Sequence, residues 1–289
     1  MGRDSAGPTV EPPGQMEVAL SGSRFDTSVP HPARRYDYWL GGKDNFAADR
    51  ESADAIAAAY PSVRIAALEN RWYLHRVVRF LAEEAGIRQF LDIGTGIPTS
   101  PNVHEIAQSV DPSTRIVYVD NDPIVLAHAR ALLTSAKEGA TAYIDADLRQ
   151  PGDILSHPDL HDTLDQTQPV ALMMVAILHF ILDDRDPYGV VARLVDAMPP
   201  GSYLALSHVT YDFMPPAAVA ELDAANAARN VEFRPRSREE FTRFFEGLEL
   251  VPPGIVSVAE WRAEHAPQPR PSAESTGVYG PVARIPGGR

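Results

Sequence analysis

From about Arg88 to Val209, short apolar runs alternate with stretches whose apolar residues recur every three or four positions. This alternation predicts repeated strand–helix–strand units and a mostly parallel sheet. The predicted strands are 89–93, 115–119, 141–144, 169–175 and 202–209. Ser100-Pro101, Asp122-Pro123 and Asp186-Pro187 each set a capping oxygen before a proline at the first helical position, where its missing N–H is not needed. Gly201 reads as the C-cap of the third of these helices. Ser237 to Glu240 reads as a capping box opening a helix through Phe245. Two last strands, around 248–258 and 278–285, flank a Pro-rich loop over 266–271 and bring the sheet to seven.

Ahead of the sheet, the Gly41-Gly42 break separates a short helix from a second one ending before Pro61. A longer helix over about 62–84 follows, with Val63, Ala67, Leu74, Val78 and Leu81 at helical spacing and Gly86 as its terminator. Residues 1–30 carry Gly, Pro and Ser without periodicity and are expected to be disordered. The expected organisation is therefore that segment, a helical extension over 31–86 and a main domain over 87–289.

Composition narrows the function. The chain has 289 residues, 44% of them hydrophobic and 22% charged, which suits a folded protein with a large core. Cysteine is absent, which excludes disulfides, thiolate metal sites and a cysteine nucleophile, and suits a reducing cytoplasm. The 26 Lys+Arg against 39 Asp+Glu leave a net charge of -13, whose field repels polyanions and argues against a nucleic-acid partner. The longest apolar run, VALMMVAILHFIL over 170–182, is too short for a bilayer and holds His179, so it reads as a buried strand and its exit. No membrane segment or secretory leader is expected.

The chemistry concentrates at the ends of the first three strands. LDIGTGIPTS, over 91–100, joins an acidic strand end to two glycines one apart, a turn that lets a backbone approach a ligand closely. The dinucleotide fingerprint needs glycine at position 99, where the chain has Thr99 after Pro98, so a pyrophosphate cradle is disfavoured. A plain glycine turn is the bland alternative. Asp120 ends the second strand, where a carboxylate can accept both hydroxyls of a ribose, while Asp122 reads as an N-cap. After the third strand, Asp147 can accept from an adenine amino group and Leu148 can cover the ring; two turn-forming aspartates are the alternative reading.

The order LDIGTGIPT, YVDND, YIDADLR, an apolar fourth strand and PPGSY resembles class I S-adenosylmethionine-dependent methyltransferases. RRYDYWLGGKDNFAADRE, NRWYLHRVVRFLAEEAG and EFTRFFEGLELVPPGIVSVAEW are similar to one bacterial branch of that superfamily, catalogued as a domain of unknown function. The resemblance runs from about Asp26 to Ile285. It implies a Rossmann-like α/β fold, with a mostly parallel seven-stranded sheet, helices on both faces and S-adenosyl-L-methionine as cofactor. It also implies that Asp92, Gly94, Thr95 and Gly96 lie at the methionine end of the cofactor, Asp120 at the ribose, and Asn121, Asp147 and Leu148 at the adenine. Pro98 stands where the superfamily often has a third glycine, as the branch itself favours.

In-line methyl transfer draws its rate mainly from proximity and orientation, and a hydroxyl or carbon acid also needs a base. His179, just past the fourth strand, is the candidate base, with a satisfied core histidine as its alternative. Tyr36 and Trp39 before the Gly41-Gly42 hinge, and His208 at the end of the fifth strand, are candidates for substrate contact or a lid. Hydrophobic packing is the other reading of the aromatics, and Arg71 is expected to pair a carboxylate. VAILHF over 175–180 lacks the Asn/Asp-Pro-Pro-aromatic run of nucleobase amino methylation, which again favours a small-molecule acceptor. No metal motif is present. A nicotinamide dehydrogenase and a non-catalytic nucleoside-binding regulator are the competing functions.

Overall fold

The structure is a computed structural model that describes residues 26–132, 134–228 and 232–287; most of the segment expected to be disordered lies outside these. Its chain order is α1 Pro32–Trp39, α2 Ala47–Ala59, α3 Val63–Glu83, β1 Gln89–Ile93, α4 Val103–Val110, β2 Arg115–Asp120, α5 Pro123–Leu132 and β3 Ala140–Asp145. Then follow α6 Pro151–Leu155, α7 Pro158–Thr163, β4 Ala171–Val175, α8 Pro187–Asp196, β5 Tyr203–Val209 and α9 Pro216–Ala228. The last elements are α10 Arg238–Thr242, β6 Glu249–Leu250, α11 Ala273–Thr276, β7 Val278–Tyr279 and β8 Val282–Arg284.

The sheet order is β3-β2-β1-β4-β5-β8-β6, with β7 also paired to β5. Strands β1 to β5 run parallel, and β6, β7 and β8 pair antiparallel. The strand count is eight, not the expected seven. Gly280 and Pro281 interrupt the last predicted strand, because proline has no N–H to give the ladder. The strand expected over 248–258 shrinks to two residues for the same reason at Pro252 and Pro253.

Alternating side chains put two cores on the two sheet faces. Leu91, Ile93, Val117, Val119, Leu172, Met174, Leu204 and Leu206 form one with α8 and the Phe241–Phe245 segment. Phe90, Ile116, Tyr118, Met173 and Ala205 form the other with α3, Trp261 and α4. Helix α3 is thus part of the sheet's own core. Gly86, at φ 69°, turns the chain so that Ile87 N–H returns to Leu81 O at 2.8 Å.

Three of the expected caps hold, among them the Ser237 box, where Glu240 N–H donates to Ser237 Oγ at 3.2 Å and Ser237 N–H to Glu240 Oε2 at 2.8 Å. Asp186 Oδ1 accepts from Gly189 N at 3.1 Å and Asp122 Oδ1 from Ile124 N at 2.9 Å. The helix expected at Pro101 instead starts at Val103. Its cap is Asn102, whose backbone N–H donates to Glu105 Oε2 at 2.5 Å, while Ser100 Oγ donates to Glu105 Oε1 at 3.1 Å. Gly201 is likewise not a helix cap. Helix α8 ends at Asp196, and Gly201 lies in the following turn at φ 84°, its N–H donating to Ile285 O.

Candidate active site

Parallel register brings the carboxyl ends of β1, β2 and β3 to one edge, with Asp120 beside Asp145 and Ile93 beside Val119. The glycine turn folds over that edge: Gly94 and Thr95 N–H both reach Val119 O, at 2.8 and 3.3 Å, and Thr95 Oγ1 donates to Asp92 O at 3.1 Å. Gly94 has φ 75°, and a Cβ there would overlap Ile177 Cδ1. Gly94→Ala therefore forces both backbone strain and displacement of Ile177, and should destabilise by about 1–3 kcal/mol. An unchanged denaturation midpoint would contradict that packing. Gly96, at φ 67°, is different, because a Cβ there would meet nothing. Open space beyond this backbone is the room a ligand needs.

Asp120 is buried and bound from within. Its Oδ2 accepts from Gly96 N and its Oδ1 from Asp122 N, each at 2.9 Å. Each oxygen retains a lone pair for a further donor. Burial, resisted by these two N–H groups, raises its pKa from the ordinary aspartate value. Asp92 is also buried, and desolvation pushes its pKa up to about 7, with Arg71 opposing the rise and Asp120 adding to it. On the neighbouring strand end, partial burial works to raise the Asp147 pKa. Hydrogen bonds from Arg149, and one from Asn121, hold it below the ordinary value. Asn121 and Asp147 thus meet. Leu148, by contrast, points into the core among Ile144, Ile154 and Leu160.

Helices α1 and α3 close the edge. Tyr36 Oη donates to Ala67 O at 2.8 Å and accepts from Asn70 Nδ2 at 3.0 Å. Arg71 donates to Thr99 O, and to Pro101 O at 2.8 Å, so it grips loop carbonyls and not the expected carboxylate partner. Its charge still acts on Tyr36 and Asp92. Trp39 is turned the other way, its indole N–H reaching Ala53 O of α2 at 3.3 Å.

The exit of β4 lies over the glycine turn. Ala176, at φ 58°, bends the chain, its N–H held by Ser207 Oγ at 2.9 Å, and Ile177 then lands on Gly94. His179 follows in a short 3₁₀ turn. It is 4% exposed, enclosed by Phe180, Phe233 and His208 at ring-centroid distances of 4.3, 5.2 and 5.6 Å, and its buried Nδ1 has no partner. Burial first, then His208 and the Arg236 cation, hold its pKa well below the ordinary imidazole value. His208 has both ring nitrogens engaged, Nδ1 with Val209 O at 2.7 Å and Nε2 with Arg236 Nη1 at 2.9 Å, and burial lowers its pKa to about 3. It is the neutral tautomer with hydrogen on Nδ1. Sequence reasoning missed His31, Arg34 and Arg236. The only trace of them was cations on stretches otherwise patterned for packing.

Strand order, an antiparallel far edge and a glycine turn facing an acidic second-strand end define a Rossmann-like methyltransferase fold. The chain belongs to the S-adenosyl methyltransferase family, whose model matches residues 19–286. The crystal structure of a DUF574 family protein from Streptomyces avermitilis is 51% identical, with a TM-score of 0.85 over 91% of this chain and 100% of that one. A candidate methyltransferase from Thermobifida fusca is 43% identical, with a TM-score of 0.82 over 90% of this chain and 97% of that one. No curated protein matches the chain. The chain is an S-adenosylmethionine-dependent methyltransferase, and the dehydrogenase and non-catalytic readings drop out. Among the described residues no helix is long and apolar enough to cross a membrane, and no group of three or more His, Asp or Glu could hold a metal ion.

Proposed function

We propose that this enzyme methylates a small molecule held beside His179, in the cytoplasm, with residues 31–86 capping the cofactor site of the remaining chain. One observation carries the reading: Asp92, the Gly94–Gly96 turn, Asp120 and the Asn121–Asp147 pair share an edge over which Ile177 pins the His179 segment. The residues fit the cofactor. Asp120 offers two lone pairs to a ribose, Gly96 leaves room for the ligand, and Asp92 is a carboxyl that an adjacent ammonium would ionise.

S-adenosylmethionine supplies an electrophilic methyl on a sulfonium. The chain's own residues hold and orient the two reactants. Phe180 and Phe233 pack on the His179 ring, and burial keeps this imidazole neutral, the form that takes a proton from an acceptor's N–H or O–H. The net charge of -13 and the apolar VAILHF exit support a small molecule over nucleic acid.

Labelled cofactor can be incubated with the small-molecule fraction of a bacterial extract, with total RNA and with denatured protein. Label entering the small-molecule fraction is the expected outcome, and label entering only RNA or protein would overturn the acceptor class. His179→Ala is expected to lower that transfer at least about tenfold with S-adenosylhomocysteine affinity unchanged. Undiminished transfer would make His179 a packing residue.

A further inference from the structure

We propose that Asp122, gripped by His31 and Arg34 at the start of α1, is the positioning residue of the ribose-facing carboxylate Asp120, so that the N-terminal helix and the nucleoside site close as one unit. The inference rests on the reading of Asp120 as the ribose acceptor. Asp122 Oδ2 lies 3.0 Å from His31 Nδ1 and 3.4 Å from Arg34 Nε. Arg34 Nη1 lies 3.6 Å from Asp49 Oδ2, and His31 N–H donates to Asp49 Oδ1 at 2.8 Å. Asp49 is itself seated at the start of α2, where its Oδ2 accepts from Phe46 N at 2.9 Å. The three charged side chains Arg34, Asp49 and Asp122 are 6%, 0% and 3% exposed.

Helix capping alone does not account for this cluster. Capping uses one oxygen of Asp122, the Oδ1 that accepts from Ile124 N, and it needs neither α1 nor a buried ion pair. Desolvating opposite charges gains little in stability over an apolar contact, so their placement points to geometry that has to be held. What they hold is adjacent. The Asp122 N–H fixes Asp120 Oδ1, the Gly96 N–H fixes Oδ2, and between them the carboxylate is set in one orientation. Burial works to raise the Asp122 pKa, but the adjacent His31 imidazole, the Ile124 N–H and the Arg34 cation together keep it below the ordinary value. The latch therefore stays ionised. If α1 lifts, Asp122 loses both basic partners and the turn carrying its N–H loses its anchor.

Asp122→Asn tests this with minimal disturbance, since it retains the capping oxygen, the backbone N–H and the volume. The measurements are S-adenosylhomocysteine affinity by calorimetry and the melting temperature, in the native chain and in an Asp120→Asn background. The affinity should fall about tenfold in the native chain and less than about twofold in the Asp120→Asn background, because the latch acts through Asp120. An unchanged affinity, or the same loss in both backgrounds, overturns the proposal, since a merely structural staple would act additively. His31→Gln, at the more exposed end of the latch, is the second variant should Asp122→Asn unfold, with about a threefold loss and the same background dependence. Binding that depends on Asp120 but on neither Asp122 nor His31 overturns the latch alone. Binding indifferent to Asp120 overturns the ribose reading and the latch with it.

Discussion

Asp120→Ala is expected to weaken S-adenosylhomocysteine binding about ten- to a hundredfold, from the loss of charge-assisted bonds worth roughly 1.5–3 kcal/mol each. Folding should be nearly unaffected. The substitution removes a carboxylate that burial already disfavours in its charged form, which offsets the loss of its bonds from the N–H groups of Gly96 and Asp122. Titration calorimetry and thermal melts on the same preparations separate the roles. Equal affinities for variant and parent refute the ribose contact. A large fall in melting temperature would mean that the carboxylate serves the fold and not the ligand.

The second large effect concerns Asp92, whose pKa burial pushes up to about 7. The folded chain keeps a proton there that the unfolded chain releases near the ordinary aspartate value of 3.8. Its contribution to stability is therefore fully present below about pH 4 and is lost as pH climbs through about 7. A shift of this size corresponds to at most about 4 kcal/mol. Asp92→Asn removes the titrating group without changing its shape. Its melting temperature should match the parent near pH 4 and exceed it at pH 8, so parallel stability curves would refute the buried-acid reading. Binding should respond in the opposite sense. An ammonium beside Asp92 favours the carboxylate, so the parent should bind S-adenosylhomocysteine more tightly as pH rises through about 7 and release a proton on doing so. The variant should bind weakly at every pH. Instability of this acid in its charged form is thus the counterpart of its use as a ligand-facing charge.

The two carboxyls are coupled, which gives a further signature. Asp120 contributes to the rise of the Asp92 pKa, so removing Asp120 should draw the Asp92 transition to lower pH. A stability profile unmoved by Asp120→Ala would mean that the two acids do not sense one another.

Much of this molecule is written locally. The five parallel strands were legible because each is an apolar run bounded by turn residues, and β1 has the bounds its pattern predicts. Asp122-Pro123 and Asp186-Pro187 mark helix starts because a cap and a proline act within one turn. The failures are also local. Ser100-Pro101 carries the same signal as the other two, yet Glu105 lies at the spacing that makes Asn102 the better cap. The last strand divides because one proline removes one ladder donor.

The residues around the site divide in the same way. Glycines and an acid after a strand announce themselves, since their backbone demands and their position in the register are properties of neighbouring residues. Trp39 and His208 did not reveal their orientation. Which way a helix or strand end faces depends on partners such as Ala53 and Arg236, the latter 28 residues away from His208 in the chain. By itself, then, the sequence determined the parallel α/β core, the family and the acidic edge with its glycine turn, because periodicity and turn chemistry operate over a few residues. Only the tertiary structure decided that α3 belongs to the sheet's core, that His31 and Arg34 meet Asp122, and that Asp92 is desolvated enough to titrate near pH 7. Burial and long-range ion pairs are set by what the folded chain brings together, and no local pattern encodes them.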